Sequence, residues 1–155
     1  MKLTLLAVGD KLPAWAEDAT AEYLKRMPRE ARVTLVTVKP EKRASQSPDT
    51  IRQAEAARLL EKLPADARLV AMDEHGQQIS TRELADLMAR WQATGRDVCL
   101  VIGGADGLAP AILDRADVRL GLSRLTLPHA LARVLLAEQL YRAASLLNHH
   151  PYHRE

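Results

Sequence analysis

Short apolar runs alternate with longer amphipathic stretches along this chain. Residues 2–8 read as a strand closed by Gly9-Asp10, and Pro13 suits the first turn of a helix. Trp15, Ala19, Tyr23 and Met27 follow at spacing four, an apolar stripe that ends near Pro28. Val33–Val38 is a run rich in β-branched residues and reads as a second strand. Residues 39–49 are polar and basic, with Pro40, Lys42, Arg43 and Pro48, and read as a loop: a solvated linker or a phosphate contact. A helix is predicted over 50–62, capped by Asp49 or Thr50.

The second half keeps the alternation. Residues 69–72 form a short strand and 73–78 a turn. Thr81–Thr94 is a helix, opened by the capping box Ser80-Thr-Arg-Glu83 and stopped by Gly95. A strand over 97–102 leads into Gly103-Gly-Ala-Asp-Gly107, followed by a helix over 109–115, a last strand over 118–120 and a last helix over 128–147. Strands alternating with helices predict an α/β fold with a largely parallel sheet, in one domain over residues 1–155.

The last helix is apolar nearly all round. Leu135, Leu136, Ala137, Leu140, Tyr141, Ala144 and Leu147 span most of its wheel, leaving one polar stripe of Glu138, Arg142 and Ser145. Such a helix requires cover on two sides. The sheet supplies one, and a second subunit is the simplest source of the other, so a homodimer is predicted. The stripe is either an i,i+4 ion pair of small value or the wall of a polar cleft.

Composition adds limits rather than direction. A chain of 155 residues can bury a real core without disulfides or metal. Phe is absent, so that core rests on Leu, Val, Ala and Ile. A net charge of +2 does not by itself point to nucleic acid. The lone Cys99 lies in the apolar run Val98-Cys-Leu-Val-Ile102, where it reads as an inert core thiol in a reducing compartment, with the cytoplasm as the default location. No apolar run approaches the roughly 20 residues of a membrane span.

Two strand-to-helix loops carry candidate chemistry. In Ile102-Gly103-Gly104 the glycines allow close backbone approach by a ligand, although a tight turn alone explains them as well. Gly121-Leu-Ser-Arg-Leu-Thr-Leu-Pro128 offers unpaired backbone groups beside leucines, the ingredients for holding an adenine. The end of the chain, Asn148-His-His-Pro-Tyr-His-Arg-Glu155, puts titratable groups directly after the apolar helix; it reads as a working tail or as a solvated end. His75, His149, His150 and His153 show no metal-ligand spacing, and no metal is expected.

Leu100-Val-Ile-Gly-Gly-Ala-Asp-Gly-Leu108, Ser123-Arg-Leu-Thr-Leu-Pro-His129, Arg133-Val-Leu-Leu-Ala-Glu-Gln-Leu-Tyr-Arg142 and the tail together resemble the ribosomal RNA large-subunit methyltransferase H family, formerly the YbeA-like proteins. Ala7-Val-Gly9 and Glu22-Tyr-Leu-Lys25 extend the likeness over the whole chain. The resemblance implies a SPOUT-type α/β domain with a C-terminal trefoil knot, a rare exception to the rule against knots. It also implies a homodimer that uses S-adenosylmethionine to methylate N3 of a pseudouridine in the helix 69 loop of 23S rRNA, in assembled ribosomes.

Carried over residue by residue, the cofactor site falls on Met72, Gly103, Leu122, Ser123, Arg124, Leu125, Thr126 and Leu127. Met72 stands where the family commonly has Leu, and Ala105-Asp106 where it commonly has Pro-Glu. Candidates for assisting proton loss from N3, or for stabilising the anion that forms, are His129, Arg142, His153 and Arg154. Tyr152 could stack on a base or dock onto the partner. Two other classes stay open: a non-enzymatic RNA- or ribosome-binding module, and a knotted methyltransferase acting on another RNA such as tRNA.

Overall fold

The computed structural model describes residues 1–154, with side chains through residue 152. The chain runs β1 (Leu3–Val8), α1 (Ala14–Lys25), β2 (Val33–Val38), α2 (Pro48–Lys62), β3 (Arg68–Gln78), α3 (Thr81–Thr94), β4 (Val98–Ile102), α4 (Pro110–Leu113), β5 (Val118–Gly121) and α5 (His129–Leu147). A 3₁₀ turn over Pro151–Arg154 follows α5. The strands form one five-stranded sheet in the order β2-β1-β4-β3-β5, and every pairing is parallel.

Parallel strands covered on both faces need apolar side chains at consecutive positions. Here Leu3, Leu5 and Ala7 of β1 face one core with Leu100 of β4 and Met88, Leu136 and Leu140 of the helices. Leu6 and Val8 face a second core with Cys99, Val101, Leu59 and Ile112. Burial pushes the Cys99 thiol up to about 12, so it stays protonated, as expected of a core cysteine.

Several boundaries match the sequence pattern. Ser80 and Glu83 form a reciprocal capping box, and Gly95 closes α3 in the left-handed region with φ 78°. Elsewhere tertiary contacts decide. Residues 73–78, read as a turn, continue β3: Gln77 and Gln78 pair with Leu120 and Gly121 after a register shift beyond Met72. Their side chains are polar because this stretch leaves the core, while its backbone still needs a partner. In α1 the buried positions are Ala16 and Thr20, and Trp15 is 55% exposed, so the stripe through Trp15 and Ala19 is displaced by one residue. α2 is capped by Ser47, whose Oγ accepts the Thr50 N–H over 3.1 Å, and not by Asp49 or Thr50. α4 is shorter than the predicted 109–115 helix.

The cover of α5 also differs from the wheel argument. The helix packs beside both α1 and α3, and no residue from His129 to Leu147 is exposed. Leu136 and Leu140 are fully buried within their own chain. Two neighbouring helices and the sheet supply the cover, so apolarity alone does not demand a second subunit. No helix among the described residues is long and apolar enough to cross a membrane.

Candidate cofactor and substrate site

The carboxyl edge of a parallel sheet is where loops leave the strands and ligands collect. A cavity of about 790 Å³ lies there, large enough for a nucleoside-sized ligand. The end of β3 contributes Met72, the turn after β4 contributes Gly103 to Gly107, and the β5–α5 loop contributes Leu122, Ser123, Leu125, Thr126 and Leu127. His129 and Ala132 close it from the first turn of α5. Seven of the eight carried-over cofactor residues therefore meet around one cavity. Arg124 is exposed and does not line it.

The local chemistry suits an adenosine with an apolar grip. Leucines and Met72 supply faces, while the loop backbone supplies edges. Ser123 serves the loop itself, since its Oγ accepts the Leu125 N–H over 2.9 Å. Gly103 has a different reason from the one its sequence context suggested. A Cβ there would lie 2.6 Å from both the carbonyl carbon and the oxygen of Gly107, so the turn itself excludes a side chain.

Two histidines line the cavity: His75, exposed at the end of β3, and His129, half-buried on the first turn of α5. Desolvation, and secondarily the Arg133 guanidinium, hold the His129 imidazole below the usual 6.5. Arg133 lies one turn further along α5 and is buried. Its Nη2 donates to Val8 O over 3.0 Å and to Gly9 O over 2.8 Å, tying α5 to the end of β1. Burial lowers the Arg133 pKa as well, and its Nε has no partner among the described residues. Sequence reading missed Arg133, because an arginine four residues after a histidine carries no signal of burial.

The rim was also incompletely anticipated. Asp106 binds Arg43 through both carboxylate oxygens, over 2.6 and 3.2 Å, and its backbone oxygen accepts from Arg52 over 3.1 Å. Arg52 and Asp106 both line the cavity.

Arg142 does not reach this cavity in its own chain. It stands 13 residues beyond His129 on α5, roughly 20 Å along the axis at 1.5 Å per residue. Its Nε donates to Glu138 over 2.9 Å, and its guanidinium lies 4.8 Å from the centroid of the Tyr152 ring. Tyr152 donates its hydroxyl to Glu138 over 2.9 Å and packs on Tyr141 with centroids 4.5 Å apart. Desolvation first, and then hydrogen bonding to Tyr23 and Glu138, raise its pKa strongly. Within its own chain this ring closes the Glu138–Arg142 stripe. Ser145 is likewise buried, donating to Arg142 O over 2.7 Å, so within one chain the stripe forms an i,i+4 ion-pair network. The side chains of His153 and Arg154 lie outside the described residues.

The family model of the predicted SPOUT methyltransferases matches residues 1–153. The chain belongs to the SPOUT methyltransferase family. Among curated proteins it is 53% identical to the ribosomal RNA large subunit methyltransferase H of Methylobacillus flagellatus over 156 residues, covering 100% of both chains. It is 54% identical to the protein of the same name from Ralstonia nicotianae, covering 99% of each. Among solved structures, a probable methylase family protein from Haemophilus influenzae superposes with a TM-score of 0.60 at 18% identity, covering 97% of this chain and 69% of that one. That likeness concerns the fold alone. Full-length identity above half places the chain with the methyltransferase H proteins, as the motifs implied.

Proposed function

We propose that this protein transfers a methyl group from S-adenosylmethionine to N3 of a pseudouridine in the helix 69 loop of 23S rRNA, in the assembled ribosome. The observation that carries this reading is the convergence of seven carried-over residues on one cavity at the carboxyl edge of the sheet, in a chain so similar to named methyltransferase H proteins. The reading includes one SPOUT domain over residues 1–155, no metal, and a reducing, cytoplasmic setting, which the free thiol of Cys99 supports. A C-terminal trefoil knot belongs to this reading too. Mass spectrometry of 23S rRNA from a deletion strain tests the substrate. Loss of one methyl from that pseudouridine, restored by the intact gene, is the expected result; an unchanged mass would reject it.

The sulfonium supplies an already activated methyl group. For N3 to accept that methyl group it must lose its proton, because a neutral imide nitrogen has no free lone pair. Met72, Leu122, Leu125 and Leu127 position the donor and exclude water, which raises the rate by fixing geometry. Asp73, Glu74 and His75 also line the cavity, but His129 is its half-buried histidine, and its lowered pKa keeps the ring neutral and able to accept a proton near pH 7. If His129 takes the proton, kcat should fall toward acid pH with an apparent pKa below 6.5. The sign follows from the lowered pKa: the base is available above that value and lost below it. His129→Gln should remove that acid limb; a limb unchanged in the variant would assign the proton to solvent.

Cofactor binding has its own test. Leu127→Ala removes apolar contact from a cavity wall and should weaken S-adenosylmethionine binding by about tenfold in calorimetry. Binding that stays at the wild-type level would place the donor elsewhere.

A homodimer completes the reading. Trp15 on α1 and Leu125 on the cavity rim are large apolar side chains exposed by 55% and 75%, which supports a covering partner. Light scattering should give about twice the 17.2 kDa chain mass. Leu125→Asp with Trp15→Asp should shift it toward the monomer. Leu136 and Leu140 are unsuitable for that test, because charge there would unfold the chain itself.

A further inference from the structure

The proposed reaction seats a base but leaves the flanking RNA strand without a contact. The carboxyl edge of the sheet carries a second feature besides the cavity. Gly9 N–H donates to Val38 O over 2.8 Å, which sets the turn after β1 beside the 39–47 loop. Lys11, Lys39 and Lys42 all stand exposed on this rim. None of the three makes an ion pair among the described residues.

Most acids of the same rim are already occupied. Glu41 pairs with Arg58 over 3.2 Å, Asp49 pairs with Arg52, and Asp106 pairs with Arg43. Glu55 is buried beneath the loop and accepts the Glu41 N–H over 3.0 Å. Asp10 and Glu17 are the exposed carboxylates nearest Lys11, and Glu17 accepts the Leu12 N–H over 3.0 Å. The three lysines thus lie exposed with no ion pair among the described residues, leaving their ammonium groups open to an incoming anion.

The loop is also held in place. Arg58 donates to Lys39 O over 3.0 Å, and Gln46 donates to Lys42 O over 2.9 Å. Arg43 grips Asp106 on the cavity rim. A solvated linker has no use for these ties. Cations on a pinned backbone lose less freedom when they meet an anion.

We infer that the 39–47 loop, together with Lys11, contacts the phosphates of the RNA strand flanking the target nucleotide, with Lys39 and Lys42 as its principal cations. The inference rests on the proposed activity, and it adds where the substrate backbone lies. Phosphate contacts set register and orientation without reading sequence, which suits a cavity that does the selecting.

The test pairs Lys39→Ala/Lys42→Ala with a control, Lys2→Ala/Lys62→Ala. The control lysines lie at the opposite edge of the sheet, before β1 and at the end of α2. Methyl transfer to ribosomes lacking the modification and ribosome binding by sedimentation are both measured across a salt series. At about 0.15 M salt the loop variant should raise KM for ribosomes by about tenfold. The slope of log affinity against log salt should become shallower by about 2, one per lost phosphate contact. Its S-adenosylmethionine affinity and the behaviour of the control should stay at wild-type values. An unchanged slope and KM in the loop variant, or an equal loss in the control, would overturn the inference. Wild-type protein that binds ribosomes but transfers no methyl would instead defeat the activity, and the binding series would still decide the loop.

Discussion

Replacing Gly103 with valine is expected to lower the thermal midpoint by roughly 10 °C and to abolish S-adenosylmethionine binding. A Cβ at Gly103 would sit 2.6 Å from the backbone of Gly107, and a backbone atom cannot rotate away. Opening the Gly103–Gly107 turn to relieve that overlap costs about 3 kcal/mol by comparison with overpacked cores. For a chain of 155 residues each kcal/mol shifts the midpoint by about 2–4 °C. The same movement displaces one wall of the cavity, so cofactor binding fails with the turn. Gly104→Ala is the contrast. Its Cβ would meet the Val8 side chain at 3.1 Å and Glu55 Oε1 at 3.4 Å, contacts that side chains can relieve. It should cost about 1 kcal/mol and leave the cofactor bound. Differential scanning calorimetry and titration calorimetry check both variants; a Gly103→Val protein as stable as wild type would mean the turn has another way to close.

These two glycines illustrate what sequence could and could not supply. Their place after an apolar strand is legible, and so is the ligand edge to which they belong. Which of them touches the ligand and which touches the chain depends on Gly107, and that contact has no sequence signature. The same division runs through the fold. Runs such as Val98-Cys-Leu-Val-Ile102 announce doubly covered strands, and Ser80, Glu83 and Gly95 mark both ends of α3, because the physics there is local. The polar half of β3 is held by backbone pairing to β5, the one-residue rotation of α1 by packing beside α5, and the burial of Arg133 by two carbonyls at the end of β1. Each depends on residues distant in sequence. The cavity residues were legible through resemblance to a family, since leucines in a loop would not by themselves identify a methyl donor.

Removing His153 to Glu155 should lower methyl transfer by on the order of 10²–10³, the usual loss when a group stabilising developing charge is deleted, while leaving cofactor affinity and assembly intact. The cut is placed after Tyr152 because that ring is part of the packing on Glu138, Tyr141 and Arg142. Tyr152 and Arg142 also locate the start of the tail. They sit at the end of α5 remote from His129, roughly 20 Å along the helix from the cavity of their own chain. A tail that begins there serves its own cavity poorly and the cavity of a crossed partner more readily, so Arg142, His153 and Arg154 are proposed to act across a dimer. A mixture decides this. Chains lacking the tail are combined with Leu127→Asp chains, in which a carboxylate against the apolar wall expels the donor while the tail stays whole. Random pairing makes half the dimers mixed, and each mixed dimer then has one working site of two. Activity should recover to about a quarter of wild type. If the tail instead works within its own chain, every site in the mixture lacks either a donor or a tail, and the mixture stays as inactive as its parts.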